Sequence, residues 1–234
     1  MTDSASLVNL ALQSFGSRTT LTPAQLAAGS NNEAKQANLV FDSTRNVLLR
    51  MAPWNCAMAT TALTLLASNT DGSPWIQGLP RPPWVYEYAY PADCLKPCWI
   101  DPGVYNLGPV LYKVGVDTVA TVEQRVILTN QADAVLIYVR DVTNPDIWDI
   151  LFQDAFCNAL GANICMSLTG DKALANMCIQ MANRSIEEAR KADGNEGLTI
   201  NDVMPDWIRA RGVSWSMPVQ GVGMYDWGGL IPSY

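Results

Sequence analysis

Residues 146–192 carry the pattern that most restricts how this chain can fold. Apolar side chains recur there at steps of three and four residues in two successive stretches, the spacing that lines one face of an α-helix. The first stretch contains Trp148, Leu151, Phe152, Ala155, Phe156, Ala159, Leu160, Ile164 and Leu168, and the second contains Leu174, Met177, Cys178, Met181, Ala182, Ile186 and Ala189. Between them, Gly170 suits the left-handed residue that ends a helix, and Asp171 suits the N-cap of the next. The pattern predicts a helical hairpin.

This hairpin requires other helices to pack on. A buried apolar side chain contributes about 1.5 to 3 kcal/mol, whereas ordering each residue costs about 1 to 2 kcal/mol of backbone entropy. Three upstream segments have helical spacing: residues 4–15, residues 34–51 and, after Pro53, residues 56–66. We therefore predict a helical bundle built from residues 1–68 and 146–195.

Residues 69–145 have a different character. Eight prolines between positions 69 and 109 exclude a long helix there. The alternation of Trp84, Tyr86, Tyr88 and Tyr90 places four rings on one face of an extended strand. Further strands are predicted over residues 110–116, 124–128 and 134–140. The predicted fold class is α+β: mainly a helical bundle with an inserted small antiparallel β-sheet and, over residues 196–234, an extended C-terminal arm.

The amino-acid composition excludes most of the common catalytic arrangements. The chain contains no histidine, which excludes Ser-His-Asp and Cys-His arrangements and every His-containing zinc site. Cys94 and Cys98 are the only closely spaced cysteine pair, and no second pair completes a zinc-finger spacing. Several cysteines fall on predicted helices, where a free thiol behaves as a small buried hydrophobe. We predict reduced cysteines, no catalytic residue, no cofactor and no metal, and hence not an enzyme.

The charge balance and the N-terminal sequence bear on partners and location. With 22 acidic and 15 basic residues the net charge is −7, which opposes tight binding of nucleic-acid phosphates. The N-terminal sequence lacks the pattern of a signal peptide, and no apolar stretch reaches the ~20 residues needed to span a bilayer. We expect synthesis in a cytoplasm and no membrane partner.

Two groups of aromatic residues are candidate interface residues, because Trp and Tyr are enriched at interaction hot spots. The C-terminal group consists of Trp207, Trp215, Tyr225, Trp227 and Tyr234. The central group consists of Trp84, Tyr86, Tyr88, Tyr90 and Trp99. Either group can pack on the chain's own core or contact a neighbouring protein. We favour contact with a neighbour for the C-terminal group and packing on the chain's own core for the ring ladder at residues 84–90.

Four segments in collinear order resemble a known family. FDSTRNVLL at residues 41–49, followed by PWNCA at 53–57, resembles a long-helix pattern of tail tubular protein A, the head-to-tail adaptor family of short-tailed bacteriophages. YEYAYPADCL at residues 86–95 is similar to another segment of that family. The strand at 134–138 and the turn LTGD at 168–171 follow in the same order. The resemblance covers residues 5–195.

The resemblance implies a structural virion protein, made in the host cytoplasm and located at the head–tail junction. Adaptors of this kind form a homo-oligomeric, twelve-subunit ring that binds the portal protein and the tail nozzle or tail tube protein. The ring continues the channel through which double-stranded DNA passes non-specifically during ejection. The bundle would be the rigid body, the sheet with residues 84–90 and Trp99 would lie at a tail-side or subunit interface, and the C-terminal aromatic residues would reach the portal.

Some alternatives remain open at this point. The acidic composition fits either a channel wall that lets DNA slide or simple solubility. The chain could also be another ring protein of the neck, such as a tail-completion or terminator protein, or a small cytosolic enzyme that uses carboxylates or thiols.

Overall fold

Five α-helices and seven β-strands make up the part of the chain that the computed structural model describes, residues 3–72, 74–76, 78–103, 110–119 and 122–196. The helices are α1 Ser4–Ser14, α2 Pro23–Ala28, α3 Asn32–Met51, α4 Ile150–Thr169 and α5 Lys172–Asn195. The strands are β1 Met58–Ala62, β2 Leu65–Ser68, β3 Tyr86–Ala89, β4 Cys94–Asp101, β5 Tyr112–Val119, β6 Val122–Thr129 and β7 Val135–Arg140. The predicted α+β class is confirmed. The finer prediction of a helical bundle with an extended C-terminal arm stays a prediction, and residues 197–234 lie outside the described part.

The α4–α5 hairpin forms where the sequence predicts it. Gly170 ends α4 in the left-handed conformation, with φ 68°. The Asp171 carboxylate then accepts hydrogen bonds from the backbone N–H groups of Ala173 and Leu174, at 2.8 and 3.3 Å. Helix α4 therefore ends at a glycine whose backbone N–H donates to the Met166 oxygen, and α5 begins at a side chain that satisfies otherwise unpaired backbone groups.

Helix α4 is the centre of the helical layer formed by α1 to α5. Its only charged residue is Asp154, and α1, α3 and α5 all pack against it. Five aromatic rings join α4 to α3 and to the segments that flank the strands, with T-shaped contacts at centroid distances of 4.9 to 5.2 Å. These rings are Phe41, Trp54, Trp148, Phe152 and Phe156. Both buried indoles donate to backbone carbonyls, Trp54 to Leu48 and Trp148 to Val142, so no polar group is left unpaired in this cluster.

The strands form two antiparallel sheets, a first sheet in the order β1-β7-β4 and a second in the order β2-β3-β6-β5. Successive side chains of β7 alternate between two cores. Val139 belongs to the core of the helical layer, whereas Leu136 and Tyr138 belong to a smaller core shared with the second sheet. The first sheet therefore lies between the helical layer and the second sheet.

The prediction of a helix over residues 56–66 is wrong. A short 3₁₀ turn, Asn55–Ala57, leads directly into β1, whose residues Met58–Ala62 pair with Val135–Val139 of β7. Apolar residues at steps of three and four over so short a segment do not distinguish helix from strand, and the β-branched Thr60 and Thr61 favour strand. The pairing partner lies almost eighty positions away, where local spacing cannot reveal it.

The prediction of a single inserted sheet is also corrected, because the strands divide into two sheets and β4 was not predicted. Pro97 argues against a strand, yet β4 lies at the edge of the first sheet and its pairing with β7 shifts register between Pro97 and Trp99. Proline is tolerated at edges and bulges, where its missing N–H is not needed. Strands β3, β5, β6 and β7 lie within a few residues of their predicted positions.

A buried ion pair joins the helical layer to the first sheet. The Arg45 side chain of α3 is 8% exposed and donates to both carboxylate oxygens of Asp141, just after β7, at 2.9 and 3.1 Å. Asp42, one turn earlier in α3, accepts a third hydrogen bond from the same guanidinium. The charge of Arg45 is thus compensated on two sides, which a buried guanidinium requires.

We expect Arg45→Ala to lower the free energy of unfolding by about 2 to 4 kcal/mol, because Asp141 would lose its partner at a partly buried position. Urea denaturation followed by circular dichroism measures this. The matched control is Arg184→Ala, which removes an exposed ion pair with Glu188 at the same 2.9 Å spacing and should cost less than about 0.5 kcal/mol. Equal losses in the two variants would contradict the proposed role of Arg45.

Gly161 permits the close packing of α1 on α4. A Cβ atom added at this position would clash with Ser14 Oγ and lie 2.9 Å from the backbone oxygen of Ala11. In contrast, a Cβ at Gly194, in the last turn of α5, would meet nothing within 4 Å. The two glycines therefore have different roles although both are helical.

We expect Gly161→Ala to destabilise the protein by about 1 to 3 kcal/mol through overpacking. Gly194→Ala should be neutral or stabilise it by up to about 1 kcal/mol through higher helix propensity. Thermal unfolding of both variants measures the difference, and a Gly161→Ala variant that unfolds at the wild-type temperature would refute the packing argument.

Candidate functional site

The ring ladder on and beside β3 lies mainly between the two sheets. Tyr88 is buried in their shared core, where its O–H donates to the backbone oxygen of Gln131. Tyr86 and Tyr90 are partly buried against the same core, and Trp84 is half-buried. Arg125 lies 3.9 Å above the Tyr90 ring. The structure thus places most of the ladder's surface inside the protein, which leaves little of it for a partner.

Trp99 is the member of the central aromatic group that is most exposed. It lies on edge strand β4, 45% of its surface is exposed, and it borders a depression with Met58, Arg190 and Asp193. This depression lies where the end of α5 meets the first sheet. Trp99 is therefore available for contact with another protein, whereas Trp207, Trp215, Tyr225, Trp227 and Tyr234 lie outside the described residues.

The thiols are poorly suited to nucleophilic chemistry. All six cysteines are free, and burial raises the pKa of five of them above that of an ordinary thiol, that of Cys157 to about 12. The five are Cys56, Cys94, Cys98, Cys157 and Cys178. Because the thiolate is the reactive form, a raised pKa keeps these groups inert near neutral pH. They act as small apolar side chains in the two cores and at their margins.

Within the described ranges, no group of three or more Cys, Asp or Glu side chains is placed to hold a metal ion. Likewise, none of the described helices is both long and apolar enough to cross a bilayer.

An apolar groove between α3 and α5 is the main candidate site. The floor is formed by Ala159 and Ala162 of α4, whose small side chains leave space between the two flanking helices, and the volume is about 320 Å³. All residues that line the groove are uncharged. On its walls, Val47 and Met51 of α3 and Ile179 of α5 are each about half exposed, at 47 to 55%. Exposed apolar side chains grouped in a concave surface are typical of sites that bind another protein.

Three of the polar side chains in the groove are already hydrogen-bonded: Ser43 to the Val40 oxygen, and Asn163 to Thr44. Asn163 of α4 donates to Thr44 Oγ1 of α3 at 2.9 Å, which ties the floor to one wall. The groove therefore offers mainly shape and apolar area, with no charged side chain among its lining residues. Such a surface can bind an apolar side chain or helix but provides no acid, base or nucleophile for catalysis.

The groove residues were not predicted as a site from the sequence. Val47 and Met51 belong to the apolar stripe of α3, and the same spacing that predicts the helix also predicts their burial. The sequence signal that could have indicated the groove is the width of the apolar stripes on α3 and α5. The apolar residues at 47, 48 and 51 of α3, with Met177, Ile179 and Met181 on α5, exceed what one packing face can bury.

Comparison with known proteins gives no assignment. No protein-family model matches the sequence, and no curated protein matches it.

Tyr138 gives the region between the sheets a defined response to pH. Its side chain is buried, and its O–H donates to the Asp93 carboxylate at 3.0 and 3.2 Å. Burial, and then the hydrogen bond to Asp93, raise the pKa of Tyr138 to about 12. Because the folded pKa lies above the ordinary value of 10.0, the stabilisation is complete below pH 10 and is lost as the pH rises toward 12.

We expect the free energy of unfolding to decrease more steeply with pH in the wild-type protein than in Tyr138→Phe, by up to about 1.4 kcal/mol per pH unit. Urea unfolding at several pH values between 9 and 12 gives both slopes. Burial also raises the pKa values of Tyr88, Tyr90 and Tyr112, but these groups are common to both proteins. Parallel slopes would show that Tyr138 does not titrate differently in the folded and unfolded chains.

Proposed function

We propose that this chain is a structural virion protein, a head-to-tail adaptor of a short-tailed bacteriophage that forms a ring between the portal and the tail. The observation that carries the proposal is the uncharged groove between α3 and α5. An apolar concave surface without catalytic groups is suited to assembly with another protein chain. Inert, buried thiols and the lack of histidine support assembly over catalysis.

The residues that carry the family resemblance have identifiable structural roles, and this supports the proposal. Asp42 and Arg45, from the segment at 41–49, join α3 to the first sheet through Asp141. In the segment at 53–57, the Asn55 backbone N–H donates to the Asp193 carboxylate at 2.9 Å, and the Asn55 side chain donates to the Asp193 backbone oxygen, also at 2.9 Å.

The segment at 86–95 is tied to the helical layer in a similar way. Arg50 of α3 donates to the backbone oxygen of Leu95 at 2.9 Å. The Asp141 backbone N–H donates to the Asp93 backbone oxygen at 2.8 Å, which closes the turn between β3 and β4 against the end of β7. With the contacts of Arg45 and Asn55, these bonds tie the helical layer to the first sheet at several points. Several contacts between the layers favour a subunit of one fixed shape, which a closed ring of identical copies requires.

Within this proposal the helices act as the bundle that forms the rigid body of the ring. The two sheets, with Trp99 at an exposed edge, face the tail nozzle or tail tube protein or a neighbouring subunit. The segment at 196–234 reaches the portal, where Trp207, Trp215, Tyr225, Trp227 and Tyr234 supply aromatic contacts. A net charge of −7 would keep the channel wall from binding the phosphates of passing DNA.

The test is to mix the purified chain with the portal protein of the same virion and to measure subunit stoichiometry by native mass spectrometry. We expect a closed ring of about twelve copies on the portal, as the resemblance implies. A variant lacking residues 203–234 should keep the helical circular dichroism signal but bind the portal more weakly, because it lacks the aromatic contacts. A chain that stays monomeric and ignores the portal would refute the adaptor function, and unchanged binding by the truncated variant would refute the role of the C-terminal segment alone.

A further inference from the structure

The outer edge of β5 is the longest uninterrupted strand edge that the described part of the chain leaves unpaired. Strand β5 ends the order β2-β3-β6-β5 of the second sheet, and it pairs with β6 along its whole length without a shift in register. The other edge strands are short or irregular: β1 and β2 have five and four residues, and the pairing of β4 shifts register twice, once next to Pro97. Short strands, prolines and bulges keep an edge from pairing with another chain, and β5 has none of these features.

The hydrogen bonds of β6 show which backbone groups of β5 point outward. The Tyr90 N–H donates to the Arg125 oxygen at 3.3 Å, so Arg125 bonds toward the side of β3. Consecutive residues of a central antiparallel strand bond to opposite sides, so the neighbours of Arg125 bond to β5, at their register partners Gly115 and Asp117. The β5 residues whose N–H and C=O groups point to the free edge therefore include Val114 and Val116.

Two residues of opposite charge lie on the same face of β5. They are Lys113, which is exposed, and Asp117, which is partly exposed, and neither forms an ion pair with another described residue. Four positions along an extended strand span about 13 Å, so the two residues are too far apart to pair with each other. The Asp117 carboxylate accepts a hydrogen bond from the Thr118 N–H at 2.7 Å through one oxygen, and its second oxygen is available for a cation.

A second copy of β5, running in the opposite direction, matches this edge in one register. With Gly115 of the two copies facing each other, Lys113 of each copy lies opposite Asp117 of the other. The same register places Val114 opposite Val116, so the outward backbone groups of the two copies meet and about four hydrogen bonds form. A register shifted by two residues would place Lys113 or Asp117 opposite Gly115 and leave the charges unpaired. Charge and backbone geometry thus select the same alignment.

We propose that two copies of this chain pair through β5, joining their second sheets into one continuous antiparallel sheet with reciprocal Lys113–Asp117 ion pairs. The contact covers Val116, which is 68% exposed in the single chain, and it protects an edge that could otherwise pair with any extended segment. The contact is two-fold, so it closes after two copies and cannot by itself build a ring of subunits that all point the same way. The inference therefore goes beyond the proposed function and describes the free chain before assembly.

The test measures self-association of the full-length chain by sedimentation equilibrium in reducing buffer. Lys113→Asp places two carboxylates opposite each other at both ends of the contact, and Asp117→Lys places two ammonium groups there. We expect each single variant to dimerise at least about tenfold more weakly than the wild type, because like charges directly opposite each other are unfavourable. An equimolar mixture of the two variants should form the heterodimer, since every charged position then again faces the opposite charge.

Two further variants separate the contact from general effects of charge or folding. Lys35→Asp makes the same charge change on an exposed residue of α3 and should leave dimerisation unchanged. Val116→Pro removes an N–H that points away from β6, and proline is tolerated at such edge positions. This variant should keep the wild-type circular dichroism spectrum but dimerise at least about tenfold more weakly.

Amide hydrogen exchange measured by NMR reports where the contact lies. The N–H groups of Gly115 and Asp117 bond to β6, so they should exchange slowly at every protein concentration. Those of Val114 and Val116 should become protected only at concentrations at which the dimer forms. This concentration dependence at alternate residues is expected of pairing through the strand edge.

Three results would overturn the proposed pairing. The first is a full-length chain that stays monomeric at every concentration at which it is soluble. The second is a dimer in which the amides of Val114 and Val116 remain unprotected, because that dimer would use another surface. The third is protection of these amides by the portal protein but not by a second copy. A chain that dimerises as expected but ignores the portal would refute the adaptor function and leave the pairing standing.

Discussion

The burial of α4 is the constraint on which the rest of the structure depends. A helix of twenty residues with one charged side chain cannot face water on any wide surface, so it must be surrounded. Helices α1, α3 and α5 supply that cover, and Phe152 and Phe156 of α4 anchor it to Trp54 and Trp148 at the two ends of the β segment. Placing the strands beside the helical layer is a consequence of fixing those two ends.

The same arrangement explains how the helices and the first sheet behave as one unit. Trp54 and Trp148 bring the two ends of the strand-forming segment to α4, and β1 and β7, the strands nearest those ends, pair with each other. The Arg45–Asp141 ion pair then crosses the junction at a nearly buried position. A buried pair adds specificity of placement more than net stability. It holds the sheet in one position relative to α3.

The surface left uncovered by this packing is more informative about function than the ring ladder at residues 84–90. Tyr88 and its neighbours complete the small core between the sheets, because two short sheets need bulky side chains to fill the space between them. Covering α4 with three helices rather than a closed shell leaves Ala159 and Ala162 at the bottom of a groove and Ile150 exposed on the other side. Both surfaces follow from how α1, α3 and α5 are spaced around α4.

Local sequence determined the elements whose signals are local: the α4–α5 hairpin with Gly170 and Asp171 at its turn, helices α1 and α3, most of the strands, and the mixed α+β class. Helical and strand spacing, caps and turn residues act within a few positions, so they can be recognised in the sequence without knowledge of the fold. The tertiary structure decided what depends on distant partners. Strands β1 and β2 form because β7 supplies hydrogen bonds to β1 and β3 supplies hydrogen bonds to β2. The separation of the strands into two sheets is decided in the same way. The tertiary structure also decided which apolar residues stay exposed, since burial of Val47 or Ile150 depends on which helix lies opposite, and spacing along one helix carries no information about that.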